Sequence, residues 1–196
     1  GHGGDVYGVE WSPDGTRLAT TSHHRTASIW DVAGEVADVT LEGHTDIVEA
    51  VAWSPDSTVV ATASADGTIR LWDAASGAQV SILRGHADSI WDLAWSPDGD
   101  LLASASSDQT IQVWHTVTDR ATLTLRGFGG TVWAVSWAPD GLALVSGYAD
   151  GLARIWTMVP DGGEERVLEM EPVGLRWAAW SPDGTAVASG ADDGAV

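Results

Sequence analysis

The residue types of a hydrolytic triad occur twice in this sequence, at the same spacing. Each set contains one His, one Ser and one Asp, and the two sets lie 42 residues apart, at His44, Ser64, Asp66 and at His86, Ser106, Asp108. A serine nucleophile, a histidine base and an orienting carboxylate are the groups that perform acyl transfer. Because a catalytic triad is normally built only once in a chain, the duplication favours a structural role. We therefore predict no catalytic residues and no enzymatic activity.

The elements that position these residues follow a repeat of 42 or 43 residues. Trp-Ser-Pro-Asp-Gly or a close variant begins at Trp11, Trp53, Trp95, Trp137 and Trp180. A second tryptophan series keeps the same step at Trp30, Trp72, Trp114 and Trp156, and Gly-His pairs begin at Gly1, Gly43 and Gly85. Three markers in one register predict a repeat architecture, in which each unit stacks on its neighbours to bury its apolar faces.

Each unit is expected to contain four short β-strands. In the second unit the strands are predicted at 47–53, 59–64, 68–72 and 79–83, separated by turns rich in Ser, Asp and Gly. The third of these strands alternates clearly, with Ile69 and Leu71 on one face and Arg70 on the other. No segment sustains a helical period, so we predict an all-β chain.

These markers resemble those of the WD40-repeat (WD-repeat) family of β-propellers, whose signature is Gly-His near one end of the repeat and Trp-Asp near the other. Two repeats keep the Trp-Asp dipeptide, at 30–31 and 72–73, and two keep only the tryptophan, at Trp114 and Trp156. The resemblance implies a WD40-type β-propeller with four complete four-stranded repeats, 1–42, 43–84, 85–126 and 127–169, and a partial fifth, 170–196. Periplasmic and peptidase-associated propellers, which share Trp-Ser-Pro-Asp-Gly but lack the paired Gly-His element, are the alternative.

The number of repeats bears on the shape of the ring. Closed propellers generally have four to eight blades, and seven are usual for this family, so the repeats predict an open arc of a ring of about seven blades. A closed ring of four blades and an assembly of two arcs are the alternatives. Similar propellers in bacteria often follow a kinase or a signalling NTPase. The resemblance thus implies a scaffold or sensor module of a larger protein.

The resemblance also implies a role for the duplicated residues. In that family the His links the Asp and the Ser to the indole N–H of the Trp, in a network that satisfies buried polar groups. The expected members are His44, Ser64, Asp66 and Trp72 in the second repeat, and His86, Ser106, Asp108 and Trp114 in the third. The first repeat has His24 in place of the Asp, and the fourth has Phe128 and Tyr148 in place of the His and the Ser. We expect the second and third blades to be the stiffest.

One position varies although most other positions of the repeat are nearly uniform. Four residues before the first-strand Trp stand Tyr7, Glu49, Trp91, Trp133 and, in the fifth repeat, Arg176 or, with a one-residue gap, Trp177. The first strand lines the channel of a propeller, and Asp5 shares its rim. Aromatic side chains beside a carboxylate suit the anchoring of a peptide, and Glu49 with the two indoles suits a cationic side chain. The alternative is that these aromatics only fill the channel.

Composition restricts the partners. A formal net charge of −19 repels the phosphate backbone and anionic lipid, so we expect neither nucleic acid nor membrane as a partner. The absence of Cys excludes disulfides and thiolate metal sites. We interpret His23-His24 and the Asp-Gly segments as turns, and we expect no metal and no cofactor. The prediction is a cytoplasmic module that binds a protein or peptide; an enzyme using Glu49 and Asp5 in the channel is the alternative.

Overall fold

The computed structural model describes residues 4–34, 37–126, 129–158, 164–168 and 175–191. These residues form eighteen β-strands in five antiparallel sheets, with no helix among them. Four of the sheets contain four strands each, in chain order, and the fifth contains two strands within the described part of the chain. The predicted all-β, propeller-type fold is confirmed, and each sheet is one blade.

Strand bounds recur from blade to blade because the turns stay in register. The first blade contains β1 (Val6–Trp11), β2 (Arg17–Ser22), β3 (Thr26–Asp31) and β4 (Ala37–Glu42). The second contains β5 (Val48–Trp53), β6 (Val59–Ser64), β7 (Thr68–Asp73) and β8 (Gln79–Arg84). The third contains β9 (Ile90–Trp95), β10 (Leu101–Ser106), β11 (Thr110–His115) and β12 (Arg120–Arg126). The fourth contains β13 (Val132–Trp137), β14 (Ala143–Tyr148), β15 (Ala153–Thr157) and β16 (Glu164–Leu168), and the fifth contains β17 (Leu175–Trp180) and β18 (Val187–Ala191).

The Ser-Pro-Asp-Gly segments form the hairpin turn between the first two strands of a blade. In the first blade, Ser12 Oγ donates to Asp14 Oδ1 over 2.6 Å, and the Thr16 N–H donates to the same oxygen over 2.9 Å. Gly15 has a φ of 71°, in the left-handed region that favours glycine. The hydrogen bonds from Ser12 and Thr16 lower the pKa of Asp14 to about 2. The aspartate of this motif is therefore an acceptor that fixes the turn.

The apolar core lies between neighbouring blades. Leu71 and Leu83 of the second blade are buried together with Ile90 and Leu102 of the third. All four side chains are almost fully excluded from solvent, as expected when one face of a sheet packs on the next sheet. A blade consequently depends on its neighbours for the burial of its apolar faces.

In the second, third and fourth blades, the first-strand tryptophan joins the blade to the one before it. Trp53 Nε1 donates to the backbone oxygen of Glu10 over 3.2 Å. The same bond joins the next two pairs of blades, from Trp95 to Ala52 over 3.2 Å and from Trp137 to Ala94 over 3.1 Å. Trp11 has no blade before it among the described residues and is 55% exposed, whereas Trp53 is 3% exposed. The regular 42-residue spacing of these tryptophans thus marks a contact between blades.

The first strands of successive blades lie side by side and form an arc. β1 packs beside β5, β5 beside β9, β9 beside β13 and β13 beside β17. Their inner surfaces line an open cavity of 850 Å³, to which residues of all five strands contribute. The arc therefore brings the early residues of the first strands together at one end of this cavity, which we call the channel mouth, and the Ser-Pro-Asp-Gly turns at the other.

Candidate functional site

The His-Asp network of the second blade uses a different hydroxyl from the one expected. His44 Nδ1 donates to Asp66 Oδ2 over 3.0 Å, and His44 Nε2 lies 2.8 Å from Thr62 Oγ1. Trp72 Nε1 donates to the same Thr62 oxygen over 2.8 Å. The prediction that Ser64 joins the histidine to the indole is wrong. Ser64 instead accepts a hydrogen bond from the Asp66 N–H over 3.0 Å and donates to a backbone oxygen.

Strand register explains the difference. Trp72 lies opposite Val60 in the antiparallel pair of β6 and β7. Thr62 is two residues further along the same face, whereas Ser64 is four residues further, about 13 Å along the strand. The indole N–H therefore reaches Thr62 and stops short of Ser64.

The third blade repeats this arrangement and the same correction. His86 Nδ1 lies 2.8 Å from Asp108 Oδ2, and Ser104 Oγ lies 2.7 Å from His86 Nε2 and 2.9 Å from Trp114 Nε1. Ser106, the expected member, donates to the backbone oxygen of Ser89 over 2.9 Å. A sequence signal was present, because every complete repeat has a hydroxyl ten residues before its Trp. These hydroxyls are Thr20, Thr62, Ser104 and Ser146.

Burial and hydrogen bonding make this network structural. Burial alone would raise the pKa of Asp66, but hydrogen bonds from His44, Thr68 and the Thr45 N–H outweigh it and hold the pKa well below its ordinary value. Asp108 has a pKa lowered in the same way by its equivalent partners. The order Asp, His, Ser in the third blade matches the connectivity of a catalytic triad, but Ser104 is 0% exposed. A nucleophile without access to substrate performs no acyl transfer.

In the fourth blade, an arginine takes the place of the histidine as the partner of the Asp. Arg154 Nη2 lies 2.7 Å from Asp150 Oδ2, and the guanidinium lies 4.2 Å from the centre of the Tyr148 ring. Trp156 Nε1 still donates to Ser146 Oγ over 2.9 Å. Phe128, expected in place of the histidine, lies outside the described residues.

The first blade keeps the indole bond. Trp30 Nε1 donates to Thr20 Oγ1 over 2.7 Å. His23 and His24 lie in the turn between β2 and β3, with ring centroids 6.3 Å apart and nearly perpendicular planes. The interpretation of this pair as a turn is confirmed. His2, which would contribute the histidine of this repeat, lies outside the described residues.

The variable position of the repeat coincides with a β-bulge. In the second blade, Val48 pairs with Ser64 and Ala50 pairs with Ala63, so Glu49 is an extra residue on its strand. The other first strands show the same irregularity at the matching place, at Tyr7, Trp91, Trp133 and Arg176. A bulge leaves its extra residue out of the ladder and re-aims the side chain, which is why bulges are common beside functional sites. We call these five residues the bulge row.

Register also decides between the two candidates in the fifth repeat. Trp177 pairs with Gly190, as Ala50 pairs with Ala63, and Arg176 is the unpaired residue. The variable position is therefore Arg176, and the placement of Trp177 there is wrong. Trp177 nevertheless lines the cavity and is 54% exposed.

The structure brings most of the predicted rim residues together. Tyr7, Glu49, Trp91 and Trp177 line the same cavity. Trp133 is outside this lining but packs on Trp91, with ring centroids 4.9 Å apart and planes inclined by 53°. Asp5 is exposed, and its backbone oxygen accepts a hydrogen bond from His23 N–H over 3.0 Å. Asp5 does not line the cavity.

Three carboxylates face this cavity, and each has a raised pKa. Burial, followed by the nearby Asp46 carboxylate, raises the pKa of Glu49, while His23 opposes the shift. Deeper in the cavity, burial raises the pKa of Glu10 to about 7 and that of Asp92 to about 7.

Glu10 and Asp92 each bind the backbone of the next blade. Glu10 Oε2 accepts from the Trp53 N–H over 3.1 Å, and Asp92 Oδ2 accepts from the Val135 N–H over 2.9 Å. Sequence reasoning missed both residues. The sequence did contain a signal for them, because each is a charged residue at a position where a neighbouring repeat has alanine. Ala52 is the equivalent of Glu10 in the second repeat, and Ala50 is the equivalent of Asp92.

Comparison with known proteins agrees with the geometry. The family model described as "WD domain, G-beta repeat" matches residues 1–31, 38–73, 77–115, 120–157 and 171–196. The chain belongs to the WD40-repeat family. Membership of this family indicates a protein-interaction scaffold, and the predicted family is confirmed. The described residues include no helix with the length and apolar character needed to cross a membrane.

Two curated proteins share segments with this chain. WD repeat-containing protein 1 of Xenopus tropicalis is 42% identical over 48 residues, which cover 24% of this chain and 8% of that protein. THO complex subunit 3 of Arabidopsis thaliana is 40% identical over 53 residues, covering 25% of this chain and 17% of that protein. The chain therefore matches only a small part of each relative, about the length of one WD40 repeat.

Proposed function

We propose that the channel mouth binds an extended segment of a partner protein and anchors it on Trp91 and Trp133. The observation that carries this proposal is the position of the bulge row. Its members differ from blade to blade, while the turns, the tryptophan contacts and the indole bonds recur almost unchanged. Positions that vary on a uniform framework, at a bulge that directs side chains to one end of a cavity, suit recognition better than folding.

The two tryptophans have the properties of binding anchors. Trp91 Nε1 donates to Ser107 Oγ over 2.6 Å, which holds the indole in place before any partner arrives. Trp133 packs on it, so the pair presents a large apolar area with little rotamer freedom to lose. Neither side chain is needed to build a blade, because Tyr7 and Glu49 occupy the same position in the first two blades.

The size and chemistry of the cavity support a peptide rather than a substrate for catalysis. A volume of 850 Å³ is large enough for a few side chains. None of the described residues that line it is a histidine, so Glu10 and Asp92 have no histidine base beside them in the cavity. We further propose that the chain serves as a scaffold or sensor module of a larger, signalling protein. One relative is by name a subunit of a complex, which agrees with a role in assembly.

Peptide display tests the proposed function. A random library of short peptides selected on the chain should yield binders that lose at least about tenfold in affinity for the W91A/W133A variant, since buried aromatic anchors each contribute about 2 kcal/mol or more. Val117→Ala is the matched control, because Val117 is 80% exposed beside the Ser-Pro-Asp-Gly turns at the other end of the blades. Binders that ignore the double substitution, or that depend on Val117, would overturn the proposal.

A further inference from the structure

A second variable position of the repeat lies directly beside the bulge row. It is the first residue after the second strand of a blade, and its backbone N–H donates to the backbone oxygen two residues before the bulge. In the third blade, this bond runs from Ser107 to Ser89 over 2.9 Å. The same bond holds the other three positions at 2.9 or 3.0 Å, so the backbone is the same in each blade while the side chain differs. We call these four residues the turn row: His23, Ala65, Ser107 and Ala149.

The side chains of the turn row hold their bulge-row neighbours in different ways. In the first blade, the rings of His23 and Tyr7 stack, with centroids 6.4 Å apart. In the third blade, the Ser107 hydroxyl accepts a hydrogen bond from the indole N–H of Trp91 over 2.6 Å. The second and fourth blades have alanine there, whose methyl group makes no hydrogen bond. Because the backbone is shared, the residue type in the turn row decides how firmly a bulge-row side chain is held.

Ser107 is one end of a series of contacting side chains that crosses two boundaries between blades. Trp91 packs on Trp133 with ring centroids 4.9 Å apart, and the Arg176 guanidinium lies 4.2 Å from the centre of the Trp133 ring. Both tryptophans are partly exposed, so packing alone leaves their rings room to turn. The hydroxyl bond removes this freedom for Trp91, and contact with Trp91 limits it for Trp133. A partner therefore meets a pair of rings whose orientation is set in advance.

The surface that this pair offers to a partner is apolar. The indole N–H of Trp91 is engaged by Ser107, and the guanidinium of Arg176 covers part of the Trp133 ring. A cationic side chain brought to the pair would lie beside this guanidinium, and like charges at short distance repel each other. We therefore expect Lys or Arg of a partner to be disfavoured here, although two indoles by themselves would suit a cation.

We propose that Ser107 is the positioning residue of the channel mouth: its hydroxyl sets the Trp91 ring, and through it the Trp133 ring, to receive an uncharged, apolar side chain of the partner. This inference rests on the proposed function and adds a specificity-determining residue and the chemistry of the anchored side chain. Without the hydroxyl, the rings stay at the channel mouth but turn more freely. A partner then has to immobilise them, which weakens binding about threefold to tenfold.

Variants at Ser107 test the positioning role with peptides selected on the wild-type chain. Ser107→Ala gives the third blade the alanine that the second and fourth blades already have, so the fold should be retained. We expect peptide affinity to fall about threefold to tenfold, with an unchanged midpoint of unfolding in urea. The indole N–H signal of Trp91 in the free chain should move upfield as its hydrogen bond is lost. Ser107→Thr keeps the hydroxyl and is the matched control, which should retain both the affinity and the signal.

Variants of the peptide test the chemistry of the anchored side chain. The anchor is the peptide residue whose replacement by alanine weakens binding to the wild-type chain but not to the W91A/W133A variant. Replacement of the anchor by methionine should preserve most of the affinity. Replacement by lysine, which has a similar length but carries a charge, should lower the affinity at least about tenfold.

The outcomes separate this inference from the proposed function. Peptides that need Trp91 and Trp133 but bind the Ser107→Ala variant as tightly as the wild type, or that accept lysine as well as methionine at the anchor, would overturn the inference and leave the proposed function standing. Equal losses of affinity in Ser107→Ala and Ser107→Thr, or a lower urea midpoint for Ser107→Ala, would do the same, because the serine would then act only as part of the fold. Peptides that do not depend on the two tryptophans, or a selection that yields no binders, would overturn both.

Discussion

Thr62 accepts a hydrogen bond from Trp72 and contacts His44, so one hydroxyl satisfies two ring nitrogens in the second blade. Ser104 does the same for Trp114 and His86 in the third. Both hydroxyls are fully buried, and the side chains of His44 and His86 are 2% and 0% exposed, so water is a poor substitute for these bonds. At the residue scale, the network is therefore a device for satisfying buried polar groups, each of which would cost about 1–3 kcal/mol if left unpaired.

Replacement of Thr62 by valine should destabilise the chain. Valine keeps the shape of threonine but removes the hydroxyl, so His44 and Trp72 both lose a partner. We expect the free energy of unfolding to fall by about 2–4 kcal/mol in urea titrations with an unchanged m-value.

Thr62→Ser is the matched control, because the third blade already uses serine at this place. It should retain most of the stability. Ser64→Ala should affect only the turn at Asp66. A loss from Ser64→Ala that exceeds the loss from Thr62→Val would contradict the corrected network.

The sequence located this network but not its hydroxyl. The types and spacing of His44, Asp66 and Trp72 were sufficient to locate the network, because they recur in the third repeat. Thr62 and Ser64 are both hydroxyl residues on the same face of one strand; the recurrence of a hydroxyl ten residues before each Trp favours Thr62, and the register of the pair with β7 gives the physical reason. Likewise, Arg154 lies on β15, whereas His44 and His86 lie in the segments before the first strands of their blades, and no pattern within one repeat predicts such a substitution.

At the scale of elements, the strands were predictable and the bulges were not. Turn residues and alternation locate the strands because these signals are local. A bulge is a property of the pairing between two strands, so Glu49 and Arg176 could be recognised as variable but not as extra residues. The same limit produced the choice between Arg176 and Trp177, which the register of β17 and β18 resolves.

Trp53→Phe should weaken the contact between the first two blades. Phenylalanine cannot donate to the backbone oxygen of Glu10, and it fills less of the space between the blades. We expect a loss of about 1–2 kcal/mol in the free energy of unfolding, measured in urea.

Trp11→Phe is the control for this prediction. Trp11 occupies the same position of the repeat but is 55% exposed, so its change should stay within about 0.5 kcal/mol. Equal losses from the two substitutions would show that the tryptophan stabilises its own blade rather than the contact between blades.

At the scale of the whole molecule, the cavity contains acids that are costly to ionise. Burial raises the pKa of Glu10 from 4.5 to about 7 and that of Asp92 from 3.8 to about 7. At a pH between the ordinary pKa and about 7, each of these carboxyl groups is therefore protonated in the native chain but ionised in the unfolded chain. The stability that these groups contribute is fully present below their ordinary pKa values and is lost as the pH rises through about 7.

Glu10→Gln combined with Asp92→Asn should remove this pH dependence. Both amides keep an oxygen that can accept from the Trp53 and Val135 N–H groups, and neither can ionise. Thermal unfolding at a series of pH values should show a variant that matches the wild type near pH 4, where both acids are protonated, and exceeds it at pH 8. A variant that is less stable than the wild type at pH 8 would contradict the raised pKa values.

The channel mouth is proposed to bind a segment of a partner protein on Trp91 and Trp133. The most direct measurement is a titration of the ¹⁵N-labelled chain with a selected peptide, followed at the indole N–H signals. We expect chemical-shift changes at the indole N–H signals of Trp91 and Trp133, with little change at those of the buried Trp72 and Trp114. Shifts confined to residues around the Ser-Pro-Asp-Gly turns, with Trp91 and Trp133 unmoved, would contradict the claim.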